Sequence, residues 1–412
     1  MYRYWHTGVN LIVVLALTGA CRHGRQRSKR SPKALPRSPN PSAFVVAADA
    51  AVNELPESAS LGTFRLRFQI VEAERASCMP GIGDVAPVGQ GNAWIVGDCG
   101  MRGRLTQQGF IDMTAPAMRM PVPQMLGGGT CSGVARYSSI LALSETEVHV
   151  SGFTHCNLDG NLMWPRPVEV FEGEKFRFMS GGWPFTVRHG RSADVLRAGK
   201  ESIFALALDV SPRPGPPDCA VYEFKRSMWS LLRACQLPPI DHPGPSDYFT
   251  SMGVDTEGRL WISAEGFAGD GGPSVPFLLK LEQGRWHEVP ISDSGLLLNG
   301  ADGSLWLYGH ALWHFEGDTW KPISVGLPAD TTEIAVVRAD DYWAIANDQV
   351  VHYDGNRWVR VAIEDEADHR GLGLIRATFT QVWVTSPRDI WQLAKPDQPR
   401  VAVARWTPSK LE

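Results

Sequence analysis

Asp341-Tyr342-Trp343-Ala344-Ile345, followed by Val351-His352-Tyr353-Asp354-Gly355-Asn356-Arg357-Trp358, is the stretch on which the fold reading turns. The first piece is a short apolar run around one tryptophan. The second is an aromatic run, an Asp-Gly pair and another tryptophan. Short alternating apolar runs mark half-buried strands, and Asp-Gly between two of them marks a hairpin, because glycine tolerates the positive φ of a tight turn. Across residues 331–363 this reading gives four strands: Glu333–Val337, Tyr342–Ile345, Val350–Tyr353 and Trp358–Ala362.

Both pieces recur. The apolar run returns as Asn92-Ala93-Trp94-Ile95-Val96-Gly97, Arg259-Leu260-Trp261-Ile262-Ser263, Ser304-Leu305-Trp306-Leu307-Tyr308-Gly309 and Gln381-Val382-Trp383-Val384-Thr385. Two weaker copies centre on His149 and Phe204, which makes seven. The hairpin piece returns most clearly as Trp313-His314-Phe315-Glu316-Gly317-Asp318-Thr319-Trp320, and more faintly at 279–286, 222–229 and 170–176. A four-stranded sheet cannot bury both faces alone, so a tandem array of such sheets stacks around an axis. The expectation is an all-β fold, a seven-bladed β-propeller of four-stranded antiparallel blades over residues 44–412, with the repeated tryptophan wedged between blades. A pair of β-sandwiches would impose no fixed period, whereas the last three copies follow their predecessors by 45, 37 and 40 residues.

Asp255-Thr256-Glu257-Gly258-Arg259-Leu260-Trp261-Ile262 and Ala301-Asp302-Gly303-Ser304-Leu305-Trp306 resemble the D-x-x-G-x-L-W-I repeats of the propellers in periplasmic two-component regulators. More loosely, they are similar to kelch and streptogramin-lyase-like propellers. The resemblance covers residues of about 250–395, and the first three blades depart from it. No kinase-like region follows in this chain, so a sensor-kinase role is not expected to carry over.

Charge is unevenly placed. Residues 1–37 hold eight basic residues and no acidic residue precedes Asp49, so the remainder carries 32 basic against 44 acidic residues. An acidic body argues against nucleic acid, which needs concentrated Lys and Arg. Val9–Ala20 is an apolar run too short to span a bilayer and fits the core of an export signal. It ends in Leu17-Thr18-Gly19-Ala20-Cys21, which resembles the lipobox of bacterial lipoproteins, although Thr18 stands where that motif has Leu. The resemblance implies a signal over 1–20 and lipidation at Cys21. The basic, proline-rich stretch at 21–43 reads as a disordered tether. The expected address is the bacterial envelope, through a lipid anchor, with the outer membrane as its place.

Six cysteines remain: Cys78, Cys99, Cys131, Cys156, Cys219 and Cys235. An even number in an exported chain suggests disulfides. Hairpin spacing favours Cys219 with Cys235, Cys131 with Cys156, and Cys78 with Cys99. No CxxC pair points to a metal, and the motifs of serine hydrolases, zinc proteases and phosphate-binding loops are missing. No catalytic residue, metal or cofactor is therefore expected. His314 and His352 share one repeat position, which marks them as structural.

The first three repeat intervals, 55, 55 and 57, exceed the others by ten or more residues. Loops tolerate insertions and carry function, so a binding surface is expected at 155–167, 211–218, 242–248 and 266–276. The expected role is a monomeric, tethered scaffold that recognises an envelope protein, peptide or glycan. The alternative is an envelope enzyme of the lyase or lactonase type, whose site would need His155, His242, Asp218 or Glu265 to converge at one mouth of the central channel. Phe64–Glu72 fits no blade, and could either close the last blade or form a separate edge.

Overall fold

The computed structural model describes residues 55–56, 81–89, 91–106, 109–115, 130–156, 168–179, 191–209, 219–235, 246–267, 274–363 and 372–386. It also describes strands at 63–70, 118–121, 162–165, 389–393 and 400–406. Expectations for the signal, tether and Cys21 lie outside these residues.

Seven antiparallel sheets follow one another along the chain. Their innermost strands are Ile82–Val88, Thr130–Ala142, Arg191–Ala198, Ser246–Val254, Leu296–Asn299, Thr331–Arg338 and Leu374–Ala377. Each touches its counterparts in the sheets before and after, and the last touches the first, so the sheets form the blades of a closed ring. This is the expected seven-bladed propeller. In blade 6 the strands run Thr331–Arg338, Asp341–Ala346, Gln349–Tyr353 and Trp358–Val361, within two residues of the bounds read from sequence.

Closure uses the segment that fitted no blade. Thr63–Ile70 pairs antiparallel with Asp389–Leu393 and supplies the fourth strand of blade 7, while Arg400–Trp406 lies parallel beyond it. Pairing an early strand into the last blade ties the two ends of the ring, which leaves no open edge between the first and last blades.

The tryptophans are wedges in the geometric sense. The seven residues on the second strands pair with Ala86, Leu141, Arg197, Gly253, Leu298, Ala335 and Arg376 of the inner strands, one repeat position throughout. Trp94, Trp261, Trp306 and Trp383 are fully buried. Each packs into the next blade: Trp383 with Val85, Ile95 and Leu105, Trp261 with Leu297 and Leu307, Trp306 with Ile334 and Ala344. The second repeated piece builds the receiving cage. Phe171 and Phe176 enclose Trp94 at 4.6 and 5.9 Å, and Phe315 and Trp320 enclose Trp261 at 4.6 and 5.6 Å. The two recurring motifs are thus two halves of one interface. Each indole N–H is also accepted: by Asp255, Ser304, Asp341 and Gln381 at the heads of their own turns, and for Trp94 by the Glu145 carbonyl of blade 2. That is the physical reason for the Asp in D-x-x-G-x-L-W. Asp255 additionally accepts the backbone N–H groups of Glu257 and Arg259 and the Arg259 side chain, fixing the turn. Gly253 completes the fit, since a Cβ there would meet Leu305 Cδ1 at 2.5 Å.

His314 and His352 share one repeat position on the third strands of blades 5 and 6. They stack on Trp306 and Trp343 at 4.0 and 4.1 Å.

Candidate functional site

In an antiparallel blade, the turns after the first and third strands lie at one end, and the connections after the second and fourth strands lie at the other. At the first end, tight turns lock to one another around the ring. Gln381 donates to the Gly89 carbonyl, Asn92 to Glu145, Arg259 to Asp318, and the Ala301 N–H to the Val336 carbonyl. The described parts of the long segments expected to carry function, at 155–156, 162–165, 246–248, 266–267 and 274–276, belong to strand ends at the opposite end of blades 2 and 4, and 211–218 lies outside the described residues.

There the sequence reading needs correction. The insertions are spent partly on longer strands rather than on loops. In blade 2 the first two strands, Thr130–Ala142 and Glu147–Cys156, run well past the four-residue strands of blade 5. Met118–Pro121 and Leu162–Pro165 pair with their extended ends at 130–133 and 153–156. So 155–167 contains two strand segments. Likewise 246–248 begins an inner strand, and 266–267 and 274–276 extend the strands of blade 4. Blades 2 and 4 therefore carry sheet out beyond the ring on this face. Blade 5 shows the short alternative: Asp293 accepts from the backbone N–H of His310 and of Ala311 and from the Trp313 indole, which ties its turn down flat.

The four residues proposed to converge are placed as follows. Glu265 is half-buried near the outer end of the second strand of blade 4, and His155 occupies the matching end in blade 2. Asp218 and His242 lie outside the described residues. Blades 2 and 4 are not neighbours, and among the described residues no group of three or more His, Cys, Asp or Glu could hold a metal.

Of the cysteines, Cys219 and Cys235 form the expected disulfide, with Cα atoms 5.2 Å apart at the open end of a hairpin. Its two-residue turn, Arg226-Ser227, has both φ values positive, the form that matches strand twist. Cys99 is buried on a short 3-10 turn and is also disulfide-bonded. Cys78 lies outside the described residues. Backbone register sets Cys156 opposite Gly133, so Cys131 is two residues along the same strand, diagonal to Cys156 rather than directly across from it. A disulfide is characteristic of chains that fold outside the reducing cytoplasm. No described helix is long and apolar enough to cross a membrane.

Sequence reasoning named the central channel but missed the charged residues on its inner strands. Four inner strands bring charge to it. Arg376 of blade 7 donates to Glu333 of blade 6 at 2.9 Å and to Asp84 of blade 1 at 3.0 Å, and Arg197 of blade 3 shares their electrostatic field. Burial works against the charge on Arg376, but Asp84 and Glu333 outweigh it and raise its pKa above the ordinary value. Burial raises the Glu333 carboxyl, against the pull of Arg376. One level of the channel wall is a repeat in its own right. Asp84 accepts the Ile140 N–H of blade 2, Ser139 the Leu196 N–H of blade 3, and Ser251 the Leu297 N–H of blade 5. These three side chains occupy one repeat position, two residues before the partner of the wedge, and satisfy backbone donors on the exposed inner edge. Five inner strands also carry a register shift just before this level. Asp, Ser and Ser at this position in blades 1, 2 and 4 leave no period strong enough to read from sequence.

No protein-family model and no curated protein matches the chain. Solved structures share its fold. One is the extracellular domain of a hybrid two-component system protein from B. thetaiotaomicron, at 12% identity and a TM-score of 0.45 over 83% of this chain and 42% of that one. The match thus covers less than half the length of that structure. Others are regucalcin from Agrobacterium tumefaciens, at 12% identity and a TM-score of 0.34 over 81% of this chain and 98% of that one, and Drosophila plexin A in complex with semaphorin 1b, at 8% identity and 0.41 over 82% and 88%. The chain is a seven-bladed β-propeller, and these likenesses concern fold.

Proposed function

We propose that the chain is a lipid-anchored, monomeric propeller of the bacterial envelope that recognises a protein, peptide or glycan through the face where blades 2 to 4 extend. The observation that carries this reading is the asymmetry of the ring. Among the described residues, one face is closed by short turns hydrogen-bonded to their neighbours, and the other carries the lengthened strands of blades 2 and 4. A rigid scaffold presenting varied segments on one face is the usual arrangement for recognition. Cys21 would take the acyl chains, and residues 21–43 would let the ring stand off the bilayer; two chains suffice for stable anchoring.

Two measurements test this. Metabolic labelling with a palmitate analogue should mark the wild type and not a Cys21→Ser variant; equal labelling refutes the anchor. For recognition, partners captured from detergent extracts should be lost when residues 157–161 and 268–273 are replaced by Gly-Ser segments. They should be retained when the opposite face is altered at Phe379, which is 63% exposed. Loss through Phe379→Ser and retention through the replacements would place recognition on the wrong face.

A further inference from the structure

Arg197 and Arg376 occupy the same repeat position, each opposite the wedge aromatic of its own blade, Phe204 and Trp383. They therefore stand at one height in the channel, on blades 3 and 7, which face each other across a ring of seven. Their situations differ. Arg376 has two carboxylates and the Ile375 carbonyl. Arg197 gives one N–H to the Leu196 carbonyl at 2.9 Å, its Nε is buried with no hydrogen-bond partner, and no described carboxylate pairs with it. The acid whose charge acts on it, Asp84, is already engaged. Its Oδ1 accepts from Arg376 and from the Val85 N–H, and its Oδ2 accepts from the Ile140 N–H. An enclosed guanidinium without a counter-charge is costly, and burial together with the Arg376 charge pushes its pKa down to about 10, still protonated at neutral pH.

We infer that the central channel binds a compact carboxylate at this level, held by the terminal N–H groups of Arg197 that the Leu196 carbonyl leaves unused and facing Arg376. A carboxylate matches the planar fork of a guanidinium, which donates two parallel N–H bonds to it. The Arg376 side chain remains 36% accessible. Asp84 and Glu333 sit one level away and set the selectivity. They repel a doubly charged phosphate more strongly than a singly charged carboxylate. The inference is independent of the loop face, since it concerns the axis of the ring.

The test compares melting temperature in sodium acetate, sodium phosphate and sodium chloride at matched ionic strength, using the full chain without its signal. Acetate should raise the melting temperature above chloride, and phosphate should do so less. Arg197→Met should remove the acetate increment while melting in chloride at or above the wild-type temperature, because it deletes an unpaired enclosed charge. Arg197→Lys keeps the charge without the fork and should need roughly tenfold more acetate for the same shift. An acetate increment that survives in Arg197→Met overturns the inference, as does wild type with no increment over chloride. If Arg197→Met does not fold, Arg197→Lys carries the test: an unchanged acetate requirement there overturns the inference too.

Discussion

Replacing Trp306 by alanine should cost about 5 kcal/mol, the upper end of the ~3–5 kcal/mol range for truncating a buried tryptophan. The structure argues for the upper end. Trp306 is fully buried between blades 5 and 6, His314 lies flat on it at 4.0 Å, and Tyr342 meets its edge at 5.5 Å. Aromatic contacts of this kind add about 0.5–1.5 kcal/mol beyond buried area. The walls come from two separate sheets, so they cannot close on the gap without moving one blade against the other. One contribution is absent: Ser304, which accepts the indole N–H, keeps its bond to Asp302, so no buried hydroxyl is orphaned. The control is Phe379→Ala, an aromatic that is 63% exposed on the turn side of blade 7, with an expected change within about 0.5 kcal/mol. Equilibrium unfolding in urea, with m-values compared, reads both. A loss below about 2 kcal/mol for Trp306→Ala, or one equal to the control, would refute the wedge account.

His149 holds the wedge position in blade 2, buried, with Nδ1 lacking a hydrogen-bond partner. Burial holds its pKa below the ordinary 6.5, against the opposing pull of Glu147. The folded chain thus takes up this proton at lower pH than the unfolded chain, and stability is lost as pH falls through and below 6.5. His149→Phe should flatten that acid limb in urea titrations at pH 5 and pH 7.5, whereas an unchanged pH dependence counts against the reading. Cys219→Ser, which opens a cross-link between residues 16 apart, should cost about 3 kcal/mol in thermal or urea unfolding under non-reducing conditions.

What the sequence made legible was whatever repeats with identity. Trp261, Trp306, Trp343 and Trp383 recur because every blade must fill the same gap with the same bulk, and the hairpin aromatics recur because they line that gap. His149 and Phe204 were readable only by spacing, since a different side chain fills the seat. The hairpin of Cys219 and Cys235 was legible because its turn is short. The diagonal setting of Cys131 and Cys156 was not, because it depends on a register shift between Tyr137 and Ser139. The channel charges were hidden for a deeper reason. Asp84, Arg197, Glu333 and Arg376 are far apart in the chain and lie on four different blades. Only rotation about the axis brings them together.

Ring closure is the claim on which the rest stands, and a cysteine pair tests it. Phe64 and Gln392 are opposed in the pairing of Thr63–Ile70 with blade 7. In a Phe64→Cys/Gln392→Cys variant, oxidation followed by peptide mapping should yield one cross-linked peptide joining the early strand to the last blade, with native Cys219–Cys235 intact. Failure of that peptide to form, while Cys219–Cys235 forms normally, would mean that the first strand does not enter the last blade and that the ring is open.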